Sequence, residues 1–348
     1  MPEMDLGKAL DRAIDDAMAR DDAIVLIGED APMLRGGLFA RYGPERVLAA
    51  PISEGAFLGA AAGAAMAGLR PIVELYMVDF VAVAFDALLN HIAKLETFSG
   101  GDWRCPLLLR APCGGWYGDG GQHSQALWGT LASIPGLTVV VPSTPADAYG
   151  LTATALEHEG PVVLLEPKLL AADWLNALGR CGRDSVRFDV PQDDDDGGND
   201  DPLARVPFGR AALRREGSDV TICSLAVGVH RSLEAARVLS EEGVSCEVLD
   251  LRSLRPLDRE AVVASVRKTG RLLVVDEDYR ECGLSGEVAA LTLEAGLRPR
   301  FARVCVEGTL PYARHLEEAA LPNVGRIRAA AAALVADGSG ETAPAPRA

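Results

Sequence analysis

The feature that most constrains this chain is a rhythm. Short apolar runs alternate with segments whose apolar residues recur at helical spacing, and the alternation occurs in two series. In the first, AIVLIG at 23–28, PIVEL at 71–75, PLLLR at 106–110, TVVV at 138–141 and PVVLLE at 161–166 read as strands. Leu6, Ala9, Leu10, Ile14 and Met18 mark an opening helix, and further helices are expected over 55–68, 79–97 and 145–158. Strands apolar along their whole length suit a parallel sheet whose crossovers lay helices over both faces.

The second series has strands DVTICSLA at 219–226, CEVLDL at 246–251, LLVVDE at 272–277 and FARVCV at 301–306, with helices near 230–243, 258–268, 284–295 and 323–335. Between the two lies PQDDDDGGNDDP at 191–202. Acid, glycine and proline there bury too little apolar area to offset the entropy of ordering, and aspartates in an unbroken run lack ligand spacing. A linker or mobile loop is expected. The small, polar, proline-bearing tail from Asp337 is expected to be disordered. The chain thus reads as α/β in two domains: 1–190, an acidic linker at 191–204, a second domain at 205–336 and a tail at 337–348.

Charge and cysteine usage narrow the functional classes. The formal net charge is −16, with no block of Lys and Arg to neutralise a run of phosphates, so a nucleic-acid partner is not expected. The N-terminal segment is polar and amphipathic rather than a basic start followed by an apolar signal core. The longest small, apolar run, Gly55 to Leu69, falls short of the roughly 18 residues of a membrane span. A cytoplasmic protein with no membrane partner is therefore expected. The 7 cysteines include no C-x-x-C pair, so reduced thiols are expected rather than a zinc site or disulfide framework.

Few residues stand out for chemistry on local grounds. PISEG at 51–55 places Glu54 at a strand-to-helix turn, where open α/β sheets carry functional groups; a helix-start carboxylate interacting with the macrodipole is the plainer reading. The loop CGGWYGDGGQHSQ from Cys113 to Gln125 carries His123 among glycines and polar neighbours, where it can be a proton carrier, a substrate donor or a surface histidine. His91, His158, His230 and His315 lie at or near helix positions without metal-ligand spacing. Neither a nucleophile elbow, a Walker A motif nor a dinucleotide fingerprint is present.

Longer segments in order carry more. GED at 28–30, YGPERV at 42–47, PISEGAFLGAAAGAAMAGLRPIVEL at 51–75, DF at 79–80, GGQHSQ at 120–125, IPGLTVVVPSTPADA at 134–148 and EPK at 166–168 resemble the beta subunits of pyruvate, branched-chain 2-oxoacid and acetoin dehydrogenases. The resemblance continues through REGSDVTICS at 215–224, EVLDLRSLRPLD at 247–258 and KTGRLLVVDE at 268–277, covering about residues 5 to 335. It implies two transketolase-like domains: an N-terminal domain binding the pyrimidine of thiamine diphosphate and a transketolase-type C-terminal domain. It also implies an alpha subunit holding the diphosphate and Mg2+, an α2β2 heterotetramer, and a lipoyl acyltransferase as the next component. The chain alone would be inactive. The reaction implied is oxidative decarboxylation of a 2-oxoacid with acyl transfer to lipoyl; the alternatives are a lipoyl-independent carboligase or split transketolase, and a non-catalytic partner.

By the same matching, Glu54 resembles the carboxylate that hydrogen-bonds the aminopyrimidine and activates the cofactor. Phe80 resembles the ring packed on that pyrimidine, His123 the histidine facing substrate and acyl intermediate, and Glu29 an acid lining the channel. Gly118-Asp119-Gly120 looks like the start of the family's magnesium motif, but no asparagine follows at the required distance. Some members hold potassium through backbone oxygens matching Leu107, Ala155, Leu156, His158 and Gly160. Here an acidic position has become His158 and Gly160 replaces a polar residue, making that ion the weaker implication. The connection between Glu29 and Glu54 is shorter than usual in the family.

Overall fold

A computed structural model of the chain describes residues 5–115, 118–171 and 204–336. The acidic segment expected as a linker, apart from its last residue Ala204, and the tail from 337 lie outside these residues.

Two sheets form the frame. The first contains β1 (Ile24–Glu29), β2 (Val47–Ala50), β3 (Arg70–Glu74), β4 (Leu108–Cys113), β5 (Thr138–Val140) and β6 (Val162–Pro167), all parallel, in the order β5-β6-β4-β3-β1-β2. β4 and β6 are buried along their entire length, which is why their sequences show no polar alternation. The second sheet has the order β12-β11-β8-β9-β7, from β7 (Ala212–Arg215), β8 (Val220–Ser224), β9 (Cys246–Asp250), β11 (Arg271–Tyr279) and β12 (Arg300–Val306). Its edge strand β7 is antiparallel to β9.

The helices read from periodicity form where start and stop signals support them. Asp5 caps Leu6–Met18 by accepting from Lys8 N–H at 2.9 Å, and Thr144 caps Pro145–Glu157 by accepting from Asp147 N–H at 3.1 Å. Asp258 caps Arg259–Thr269, which stops at Gly270 in the left-handed conformation.

Two departures from the sequence expectation matter. The segment expected as one helix over 79–97 is broken into a 3-10 turn at Val78–Ala82, a π turn at Ala87–His91, a 3-10 turn at Ile92–Lys94 and a short helix at Leu95–Phe98. Tertiary partners claim its groups: Asp79 accepts from Gln125, and Lys94 donates to the Pro135 carbonyl. The second departure is β10 (Ser253–Arg255), which leaves the second half of the chain and pairs antiparallel with β5, extending the first sheet. The two halves therefore share a sheet edge.

Below the carboxyl ends of β3, β4 and β6 lies a buried ionic cluster. Arg35 donates from Nε to both Glu74 oxygens at 2.8 and 3.1 Å and from Nη1 to Asp11 at 3.3 Å. Arg110 donates to Glu166 at 2.9 Å and to Asp11 at 2.7 Å. Burial pushes the Glu166 carboxyl up, and Arg110 and Arg35 pull it back. The described cysteines are free, and no helix among the described residues is long and apolar enough to cross a membrane.

Candidate functional site at the carboxyl edge of the first sheet

In open α/β sheets, ligand-binding groups gather beyond the carboxyl ends of the strands. Read across the sheet from β6 to β2, that edge carries Lys168 after β6, the Gly114–Gln125 loop after β4, Asp79 and Phe80 after β3, Glu29 closing β1, and Glu54 just past β2. The sequence reading singled out Glu29, Glu54, Phe80 and His123, and all of them stand on this edge.

Glu54 opens the helix Glu54–Met66 after an extended Ser53 whose hydroxyl donates to the Pro51 carbonyl instead of capping. Its carboxylate thus lies at the positive end of the helix dipole. Glu54 is 7% exposed, and among the described residues no donor of the chain engages its carboxyl. A carboxylate so enclosed and still unengaged is set to receive a hydrogen-bonding ligand. Glu29 is its electrostatic neighbour: burial, reinforced by the charges of Asp30 and Glu54, raises the Glu29 carboxyl above its ordinary range. Asp30 directly follows in the left-handed region at φ 53°, a strained conformation of the kind that accumulates at functional sites.

Phe80 and His123 meet. Their ring centroids are 5.7 Å apart at 85°, an edge-to-face contact that joins the turn after β3 to the loop after β4. An ideal Cβ on Gly55 would lie 3.3 Å from the Val83 carbonyl, so the start of the Glu54 helix packs closely on the backbone just beyond Phe80. The residue after Glu54 thus packs on the segment that carries Phe80, and Phe80 in turn touches His123.

Partners that the sequence reading did not assign hold the His123 loop. Asp79 accepts from Gln125 N–H at 3.3 Å and from Gln125 Nε2 at 2.8 Å, while Tyr279 donates to Gln125 Oε1 at 3.0 Å. Glu317 accepts from Gly118 N–H at 2.8 Å, and Lys168 donates to the His123 carbonyl. Gly120, at φ 74°, lies against the face of Tyr312: a Cβ there would come within 2.6 Å of the ring. Asp79 and Lys168 fall inside segments whose resemblance was legible. Tyr279 and Glu317 come from the second half of the chain, 154 and 199 residues from their partners, with no local signal. Asp119 of the incomplete magnesium motif faces Lys168, whose charge it offsets.

The backbone positions matched to potassium lie elsewhere, at the amino edge of the sheet. Leu156 and His158 carbonyls there accept from Arg70 at 3.1 and 2.9 Å, and Leu107 and Ala155 carbonyls accept from Val162 and His158 N–H at 2.9 and 3.2 Å.

The matching family models are the transketolase pyrimidine-binding domain over residues 2–172 and the transketolase C-terminal domain over 209–327. The chain is 38% identical to the pyruvate dehydrogenase E1 component subunit beta of Rickettsia conorii, across 91% of this chain and 93% of that protein. It is 37% identical to the acetoin:2,6-dichlorophenolindophenol oxidoreductase subunit beta of Cupriavidus necator, covering 93% and 95%. With the 2-oxoisovalerate dehydrogenase subunit beta of Bacillus subtilis it shares 36%, covering 92% and 95%. Among solved structures, a split gene transketolase described as an inactive beta4 tetramer superposes with a TM-score of 0.74 at 25% identity, covering 96% of this chain and 98% of that one.

Proposed function

The chain belongs to the beta subunits of thiamine diphosphate-dependent 2-oxoacid dehydrogenases, and on that premise we propose that its carboxyl-edge residues form one half of an active site completed by an alpha subunit. The enzyme's reaction in this reading is oxidative decarboxylation of a 2-oxoacid followed by acyl transfer to a lipoyl group. Thiamine diphosphate, when bound, supplies the carbon that adds to the 2-oxo carbonyl and holds the electrons left by departing carbon dioxide.

The observation that carries the reading is Glu54: an enclosed carboxyl, unengaged by the described chain, on the same sheet edge as the Phe80–His123 ring pair. With the cofactor bound, Glu54 would hydrogen-bond the aminopyrimidine ring and exchange a proton with it. Phe80 would pack on that ring, and its edge-to-face contact orients His123. His123 donates toward the substrate and acyl oxygen, and Glu29 lines the approach. The alpha subunit holds the diphosphate and Mg2+; Asp119, turned to Lys168, is not assigned to the metal. The same reading makes 1–190 the pyrimidine-binding domain, 191–204 a linker and 205–336 the C-terminal domain of a cytoplasmic α2β2 assembly that delivers acyl groups to a lipoyl acyltransferase. No potassium ion is assigned to the Leu107, Ala155, Leu156, His158 and Gly160 carbonyls, since Arg70 already serves two of them.

The test is co-assembly with the alpha subunit, followed by assay with thiamine diphosphate, Mg2+, and pyruvate or branched-chain 2-oxoacids, with and without a lipoyl acceptor. Decarboxylation coupled to lipoyl acylation supports the reading. Carbon–carbon bond formation without lipoyl would replace it by a carboligase or split transketolase, and an assembled complex inactive on every 2-oxoacid would remove it.

A further inference from the structure

The candidate site encloses a cation that the reaction scheme above does not use. Lys168 follows β6, is 1% exposed, and donates through its ammonium to the backbone carbonyl of His123. Burying a lysine is costly unless its charge is compensated. Here burial lowers its pKa, and the charges of Asp119, Asp79 and Glu317 act in the opposite sense. The Lys168 ammonium thus sits among acidic groups from both halves of the chain, and it is aimed at the residue whose ring touches Phe80.

The geometry points to Lys168 as a positioning residue for His123, with Glu317 as the counter-charge that the second domain supplies. The described stretch from Gly118 to Gln125 is pinned along its length: Gly118 N–H on Glu317, the His123 carbonyl on Lys168, and Gln125 on Asp79 and Tyr279. Glu317 is 1% exposed and sits in the helix Arg314–Ala320. It therefore braces the loop directly at Gly118 and indirectly through the charge of Lys168. Holding the carbonyl restrains the His123 backbone, and with it the base from which the imidazole reaches Phe80. A misplacement of about 1 Å at a reacting group can cost on the order of 10²-fold in rate.

This inference rests on the proposed role of His123, and its test separates the two. In the assembled complex, kcat and KM are measured for wild type, Lys168→Met, Lys168→Arg, His123→Ala and the double variant Lys168→Met/His123→Ala. Positioning through His123 predicts that Lys168→Met lowers kcat by about 10- to 100-fold with little change in KM. It also predicts that Lys168→Arg retains more activity than Lys168→Met, and that Lys168→Met adds less than about 2-fold once His123 is alanine. A full, multiplicative loss in the His123→Ala background, or a wild-type kcat in Lys168→Met, overturns it. Should Lys168→Met fail to assemble, the same cycle run with Glu317→Gln decides by the same criterion. A crystal structure of the variant complex supplies a readout independent of turnover. The imidazole should leave its edge contact with Phe80, and an unmoved ring refutes the positioning role even if the enzyme has another substrate.

Discussion

Replacing Glu54 by glutamine separates catalytic from structural use of a buried carboxyl. Glutamine keeps the shape and one carbonyl oxygen but can neither hold nor share the carboxyl proton. The loss of a positioned proton-transfer group typically costs 10²–10⁴-fold in rate, equivalent to about 3–5 kcal/mol of barrier. The folding cost should be far smaller. Among the described residues no donor of the chain is left unpaired when the carboxylate goes, and the nearby Glu29 loses a like-charged neighbour. Glu54→Gln should therefore assemble with the alpha subunit and unfold at the wild-type temperature or slightly above it, within about 0.5 kcal/mol. Its kcat should fall by at least about 10²-fold. Steady-state decarboxylation and circular-dichroism melts on the assembled complex measure both quantities. Wild-type turnover would take Glu54 out of the chemistry, and a loss of several kcal/mol in stability with the kcat unchanged would make it a packing carboxylate instead.

Three further outcomes are expected. Asp276 accepts from Trp128 Nε1–H at 2.8 Å, and its carboxyl is pushed up to about 7 by burial and by the neighbouring Asp278. A raised carboxyl keeps its proton in the folded state while the unfolded chain releases it, so this group's contribution falls as pH rises toward 7 and is flat above. Between pH 5.5 and 7 the loss is about 2 kcal/mol, and denaturation of Asp276→Asn beside wild type should show it as a pH-dependent difference; a constant difference refutes it. Arg110→Met leaves Glu166, 1% exposed, without its partner and should cost about 3–5 kcal/mol in urea denaturation, whereas a loss under about 1 kcal/mol would mean that the cluster tolerates a buried charge. Exchanging Na+ for K+ should raise the melting temperature by no more than about 2 °C, because Arg70 already donates to the Leu156 and His158 carbonyls; a larger, saturable, potassium-specific rise would contradict this.

What was legible in the sequence follows the range of the forces involved. β4 and β6 announced themselves because burial on both faces removes polar residues from consecutive positions. The Glu54 helix was legible through its small-residue run, and Glu54, Phe80, His123 and Glu29 through the segments that carry the family resemblance. The broken stretch after Val78 was not legible: its apolar spacing fits one helix, and only Gln125 and Pro135, distant in sequence, claim its polar groups. β10 is three residues long, and its register depends on an edge offered by β5 more than a hundred residues earlier. Lys168 and Glu317 are single ionisable residues; nothing in their neighbours distinguishes a buried brace from a solvated charge.

These long-range contacts bear on how the site is built. The parallel sheet brings Glu29, Glu54 and Phe80 to one edge by topology alone, because each closes or follows its own strand. His123 is different: its loop is long and glycine-rich, and glycine loses more conformational freedom on ordering than any other residue. Such a loop keeps one conformation only if other contacts offset that entropy. Here many of them come from the second half of the chain, through Tyr279, Glu317 and Tyr312, with Trp128 and Gly129 just beyond the loop tied to Asp276 and Asp278 at 2.8 Å. The second domain is therefore part of the apparatus that orders His123, even though it contributes none of the four residues in the catalytic assignment. Substitutions at that boundary should act on kcat through the loop, in the way that Glu317→Gln tests, while leaving the cofactor-facing residues of the first sheet where the strands place them.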